Sequence, residues 1–284
     1  MNKIYLVSLI LLITTGCDKE LNNVDLPEFV SKLVVTSFIS PSDSLSFIKV
    51  EANQPIYGDL SVLNSPGNLA VYISDGKTEI KLDTLSGGFS FNSNRMKIDY
   101  GKSFSVRVES DIGITATSSC TVPFYSNYNL RVDTFSILHT EPGYYNGREM
   151  KVKVSFTDPA ETENFYRTLG TWVAYMTFPG STEPYKHTEY IWFKQELLTE
   201  ASKGQNGEIV NITGFNGFSF ADSAFLNITL LNTEKSYYQY HKSLQNYSNG
   251  DDFFTEPKPV FSNIEGGFGV FTSYTKETVT IRLK

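Results

Sequence analysis

The sequence predicts a mainly β protein: an N-terminal immunoglobulin-like β-sandwich over residues 32–124, then a larger β domain over 125–284 with one α-helix near 233–248. Three observations predict it. Aromatic residues make up 14% of the chain and, with abundant Thr, Val and Ser, favour strands. Apolar and polar residues alternate with period two in short runs separated by Gly, Pro and Asp turns. A helical period shows clearly in one stretch beyond the N-terminal leader, Thr233–Tyr247.

The leader comes first. Lys3 supplies a positive start, and Ile4–Ile13 is an apolar run broken only by Tyr5 and Ser8. A permanent bilayer crossing needs about 20 apolar residues, so this run is too short to be one. Thr14-Thr15-Gly16 lead directly into Cys17. A secretory peptide that ends in small residues and a cysteine is similar to a bacterial lipoprotein signal, in which the thiol is acylated and the chain is cut so that Cys17 becomes its first residue. Thr14 stands where such signals usually carry Leu. The alternative is an ordinary secretory signal cut elsewhere, with Cys17 a spare thiol. Residues 17–31 read as a polar tether. Within it, Asp18, Lys19 and Glu20 are either a sorting signal for the outer face of the outer membrane or plain hydrophilic spacer.

Strand signals begin at Leu33–Ile39 and stop at Ser40-Pro41. Ser44–Ala52 alternates, with Ile48 and Val50 opposed to Lys49 and Glu51. Leu69, Val71 and Ile73 share a face before the turn Asp75-Gly76, Ile80 and Leu82 continue the pattern, and Gly87-Gly88 breaks it. Phe89 and Phe91 follow. Phe104, Val106 and Val108 then lie opposite Ser105, Arg107 and Glu109, and the run through Cys120 ends at Pro123. Seven short strands in about 90 residues read as an immunoglobulin-like sandwich.

The second unit starts near Asn127. Leu130–Leu138 is strand-like, Val152, Val154 and Phe156 alternate with lysines and serine, and the runs Phe165–Phe178 and Tyr185–Phe193 are long and aromatic, with Trp172 and Trp192. Gly204–Gly217 is weakly patterned and reads as a loop. Phe225–Leu231 is nearly all apolar and reads as a central strand buried on both faces. Tyr237, Tyr240, His241, Leu244 and Tyr247 then share one helical face, with Thr233 as N-cap and Asn249-Gly250 as the C-terminal stop. A last strand, Thr278–Leu283, turns Val279, Ile281 and Leu283 inward.

Charge and chemistry narrow the function. With 31 acidic against 24 basic side chains the net charge is −7, and loss of Lys3 with the leader makes it −8. That disfavours nucleic acid as a partner. The two cysteines, Cys17 and Cys120, supply no disulfide framework, and Cys120 reads as a small buried thiol. His139, His187 and His241 lack metal-ligand spacing. Gly88-Phe89-Ser90-Phe91-Asn92 and Gly217-Phe218-Ser219-Phe220-Ala221 lack the closing glycine of a nucleophile elbow. Gly266-Gly267-Phe268-Gly269 is followed by strand rather than helix, so it reads as a close backbone approach and not as a phosphate cradle. No catalytic residue, cofactor or metal is expected, and the protein is read as a non-enzyme. The expected binding surface is Tyr238 with Phe253, Phe254, Asp251 and Asp252, where exposed rings beside acidic groups suit a sugar or a protein partner.

Taken together, Leu33-Val34-Val35, Val71–Gly76, Cys120-Thr121-Val122-Pro123, Asp158-Pro159 before Asn164–Arg167, the Tyr-rich helix and Ser262–Phe271 resemble the Bacteroidota lipoproteins grouped as domain of unknown function 4249. The likeness covers nearly the whole chain after the leader. It implies a two-domain lipoprotein of the outer membrane, at the cell surface or facing the periplasm, often encoded beside TonB-dependent receptors. The expected function is a non-catalytic accessory or ligand-binding partner of such a receptor, held to the membrane by lipid. A glycan-binding module and a structural or adhesive surface lipoprotein are the alternatives.

Overall fold

A computed structural model describes residues 29–55, 64–138, 148–158, 163–191, 193, 199–201, 207–211, 221–248 and 259–283. Its first eight strands are β1 (Leu33–Ile39), β2 (Leu45–Ala52), β3 (Leu69–Ser74), β4 (Glu79–Lys81), β5 (Asp83–Leu85), β6 (Gly88–Asn92), β7 (Ser103–Ser110) and β8 (Thr115–Thr121). They pair in the orders β1-β2-β6-β5 and β4-β3-β7-β8. This is the A-B-E-D and C-F-G order of an immunoglobulin-type sandwich, with β4 added beside β3. The expected seven strands become eight because the run through Ile80 and Leu82 divides: β4 pairs with β3, while β5 pairs with β6 in the other sheet. Leu82 is the crossing point, buried, with its N–H donating to the Val71 carbonyl at 2.8 Å. Inward residues of both sheets, among them Val35, Ile48, Ile73, Phe91, Phe104 and Val106, form the first core.

The rest of the chain gives β9 (Arg131–Leu138), β10 (Arg148–Phe156), β11 (Asn164–Met176), β12 (Tyr185–Ile191), β13 (Thr199–Ala201), β14 (Gly207–Asn211), β15 (Ser223–Thr233), α1 (Lys235–Ser248) and β16 (Gly267–Arg282). A small sheet runs β14-β10-β9, and a larger one runs β12-β11-β15-β16 with β13 also paired to β11. Val152, Val154 and Phe156 of β10 meet Tyr166, Trp172, Leu226, Ile228 and Leu230 in a second core.

Three expectations change here. The stretch read as a loop, Gly204–Gly217, contains β14, which pairs antiparallel with β10 from Gly207 to Asn211. Its short local pattern gains meaning only from a partner some 50 residues away, as is usual for sheet pairing. β15 is central, between β11 and β16, yet Phe225, Asn227 and Thr229 on its outer face are only half-buried. Finally, Thr233 is the last residue of β15 and its hydroxyl donates to the Phe165 carbonyl, so Glu234 takes the N-cap position of α1.

β16 joins the two sandwiches. Residues 267–273 pair in parallel with β1, and residues 274–282 pair antiparallel with β15. At its 16 residues it spans about 50 Å. Ile264 and Phe271, placed with the second unit by the sequence, pack in the first core. Glycines permit the parallel contact. A Cβ on Gly267 would lie 2.5 Å from the Leu33 carbonyl oxygen, and Gly269, at φ +105°, faces the Val35 carbonyl oxygen too closely for any side chain. Opposite β1, the Asn263 side chain stands in for a further strand, donating to the Phe271 carbonyl at 2.8 Å and accepting from its N–H at 3.0 Å.

Candidate functional site

Strand alternation sends the even-numbered residues of β11 and β15 into the second core and leaves odd ones on the opposite face. On that outer face, register aligns Arg167, Leu231 and Lys276 across β11, β15 and β16, and beside them Leu169, Thr229 and Thr278. These two rows form the floor of a groove of about 460 Å³. Its walls are Tyr237 and His241 from α1, Phe38 from β1 and Tyr274 from β16. The volume falls in the range of small-molecule sites.

Aromatic contacts fix the walls. The His241 ring stacks on Tyr237 at 4.3 Å and lies 5.3 Å from Phe38, and Tyr237 meets Phe38 edge-on at 5.2 Å. His241 Nδ1 bonds the Tyr237 carbonyl oxygen at 3.0 Å, which makes Nδ1 the protonated nitrogen of a neutral ring. Burial, helped by the nearby Arg167 charge, pushes the His241 pKa down to about 4.

The two cations of the floor are held differently. Lys276 Nζ reaches Asp43 Oδ1 at 3.0 Å, and the Tyr274 hydroxyl donates to Asp43 Oδ2 at 3.0 Å, so Asp43 neutralises that end. Burial and the Asp43 charge raise the Tyr274 pKa above the ordinary phenol range. Arg167 donates from Nη1 to the Tyr237 hydroxyl at 2.8 Å, while its buried Nε has no partner among the described residues. Among the described residues the groove thus presents one guanidinium unmatched by an anion, set in an apolar and aromatic surround.

Next to the groove, Glu234 ties the molecule together. Its Oε1 accepts from the Thr121 N–H of β8 at 3.0 Å, and its Oε2 accepts from the Ser236 and Thr272 hydroxyls at 3.0 and 3.1 Å. Burial outweighs these bonds and raises its carboxyl above the usual range. Cys120 is buried, as the sequence indicates, and desolvation followed by the Glu234 charge raises its thiol well above the ordinary value.

Of the expected binding surface, Tyr238 is buried rather than exposed: its ring packs 5.0 Å from Phe165, and its hydroxyl accepts from Lys242 Nζ at 2.9 Å. The first turn of α1 packs over a wide arc, Tyr237 toward β1 and Tyr238 toward β11, whereas Leu244 and Tyr247 farther along are 37% and 59% exposed. Asp251, Asp252, Phe253 and Phe254 lie outside the described residues, as do Cys17, Asp18, Lys19, Glu20, Trp192, His139 and the expected helix stop Asn249-Gly250. Arg167, Lys276 and Phe38 escaped sequence reasoning. The spacing of Arg167 and Leu169 places both on one strand face, but which strands stand beside them is a non-local fact.

No curated protein matches the chain. The sequence model of one family, described as Domain of unknown function (DUF4249), matches residues 20–280 and so spans both sandwiches, α1 and nearly all of β16. With the match extending over most of its length, the chain belongs to the DUF4249 family.

Proposed function

We propose that this protein is a lipid-anchored lipoprotein of the outer membrane, tethered through Cys17 at the cell surface, that captures a small ligand as a non-catalytic accessory of a TonB-dependent receptor. The observation that carries the ligand-binding part is the groove: about 460 Å³, walled by four rings and floored by Arg167, Leu231 and Lys276. A guanidinium with no anionic partner among the described residues, set among aromatic walls, suits holding an oriented ligand. The anchor rests on the leader that ends at Gly16-Cys17, and the receptor partnership on the family resemblance drawn from the sequence.

Metabolic labelling with an alkyne fatty acid tests the anchor. The expected result is label on the wild-type chain and none on Cys17→Ala. Isolation of the tagged protein from outer membranes in mild detergent tests the partnership, and recovery without any receptor counts against it. A second reading, a glycan-binding module, has its own observation. Phe178 and Tyr185, 55% and 54% exposed, lie 6.1 Å apart beside β12 and offer a stacking surface for a sugar ring. Loss of glycan-array signal on Tyr185→Ala would favour that reading.

A further inference from the structure

We infer that the groove beneath α1 binds a small organic carboxylate with an aromatic or apolar body, its carboxylate seated on Arg167. The inference rests on the ligand-capture reading above and names the class of ligand.

The charge pattern favours an anion. Among the described residues, two cations and no carboxylate line the groove, in a chain whose net charge is −7. His241 adds no charge at neutral pH, since burial and the nearby Arg167 charge hold its ring neutral and outweigh its bond to the Tyr237 carbonyl. A groove of positive sign on an acidic protein concentrates anions locally.

The donor pattern favours a carboxylate over a phosphate. Lys276 is already matched by Asp43, which leaves Arg167 as the unmatched cation among the described residues. Nη1 of that guanidinium is committed to Tyr237, and Nε is a buried donor without a partner among the described residues. The Nε side of a guanidinium is a two-pronged donor that fits the two oxygens of a carboxylate.

The surround favours an apolar body. Leu169 and Leu231 lie in the floor beside Arg167, and the Phe38, Tyr237 and Tyr274 rings stand around them. Strands two apart in a sheet lie about 10 Å from each other, which spaces Arg167 from Lys276 by the length of a ring-bearing ligand lying across Leu231.

The test compares N-acetylphenylalanine with its primary amide, two probes of the same shape that differ in charge. The full-length chain in nonionic detergent is titrated with each by calorimetry, and saturation-transfer NMR reports contact with the probe ring. The expected result is at least a tenfold preference for the acid, lost in Arg167→Gln and partly kept in Arg167→Lys. Should Arg167→Gln fail to fold, Leu169→Glu is the second variant. It sets a carboxylate in the floor from a residue already 37% exposed and is expected to abolish the preference with the fold intact. Equal affinity for acid and amide, or no binding of either at about 10 mM, overturns the inference. Fatty-acid labelling of Cys17 and receptor recovery are read separately, so either can fail while the preference for the acid stands, and the reverse.

Discussion

Two residues beside the groove titrate with opposite effects on stability. Glu234 is partly buried, and its carboxyl is raised above the ordinary value of 4.5. The folded state therefore favours its protonated form. The stabilising contribution is complete below pH 4.5 and is lost as pH rises through the raised pKa. His241 runs the other way. Its pKa falls from 6.5 to about 4, so its contribution is complete above pH 6.5 and is lost as pH falls toward 4. In the wild type the two partly offset between those limits. Glu234→Gln keeps an acceptor for the Thr121 N–H and removes the loss at high pH, so its Tm relative to wild type is expected to climb as pH rises from 4.5. His241→Phe keeps a ring against Tyr237 and Phe38 and removes the loss in acid, so its relative Tm is expected to climb as pH falls below 6.5. Thermal melts of the three chains from pH 4 to 8 check both slopes. A parallel set of curves would show that neither group is linked to folding.

Among the elements, β16 is the most sensitive to a single change. Gly269 combines φ +105° with a backbone approach to Val35 that leaves no room for a Cβ. Gly113 has a similar positive φ of +83° but open space around it. Gly113→Ala is expected to cost about 1–2 kcal/mol, the ordinary penalty of a left-handed residue. Gly269→Ala adds a clash with backbone, which cannot swing aside, and is expected to cost more than 3 kcal/mol, near the upper end of single-residue effects. Urea unfolding of the pair separates strain from collision. Asn263→Ala strips two bonds from the Phe271 backbone and is expected to cost about 1–3 kcal/mol in the same assay. These glycines also show what the sequence could convey. The run Gly266-Gly267-Phe268-Gly269 was readable as a close backbone approach because no helix follows, and inward faces such as Phe104, Val106 and Val108 followed from alternation alone. What it could not convey was pairing between distant strands. The parallel contact of Leu33 with Gly267, the pairing of β14 with β10 and the alignment of Arg167 with Lys276 across Leu231 all depend on register between strands that no local period encodes. Tyr238 failed for a related reason: a helical wheel shows which side chains share a face, and the sheet beneath decides how wide that face is.

At the scale of the molecule, two cores share one strand. Ile264 and Phe271 belong to the first core, and Val279, Ile281 and Leu283 pack against the second, all within 20 residues of chain. Glu234, between β15 and α1, accepts from Thr121 of β8, and the Ser273 hydroxyl donates to the Thr121 carbonyl at 2.9 Å, so polar bonds reinforce the same junction. A sandwich whose edge strand and core residues come from the far end of the chain is incomplete without them. Residues 31–124 expressed alone would leave the outer edge of β1 unpaired along seven residues and the places of Ile264 and Phe271 empty. An exposed apolar edge of that length invites association, and large voids in a core cost several kcal/mol. The fragment is therefore expected to show no cooperative thermal transition and to aggregate. The full chain is expected to unfold in a single step, with far-UV and near-UV signals coincident. Joining residues 262–274 to the fragment through a flexible linker is expected to restore a cooperative melt, because it returns the strand, the Asn263 bonds and both core residues together. A fragment of residues 31–124 that melted cooperatively without that segment would show the first sandwich to be independent, and β16 would then be an attachment to it rather than part of its fold.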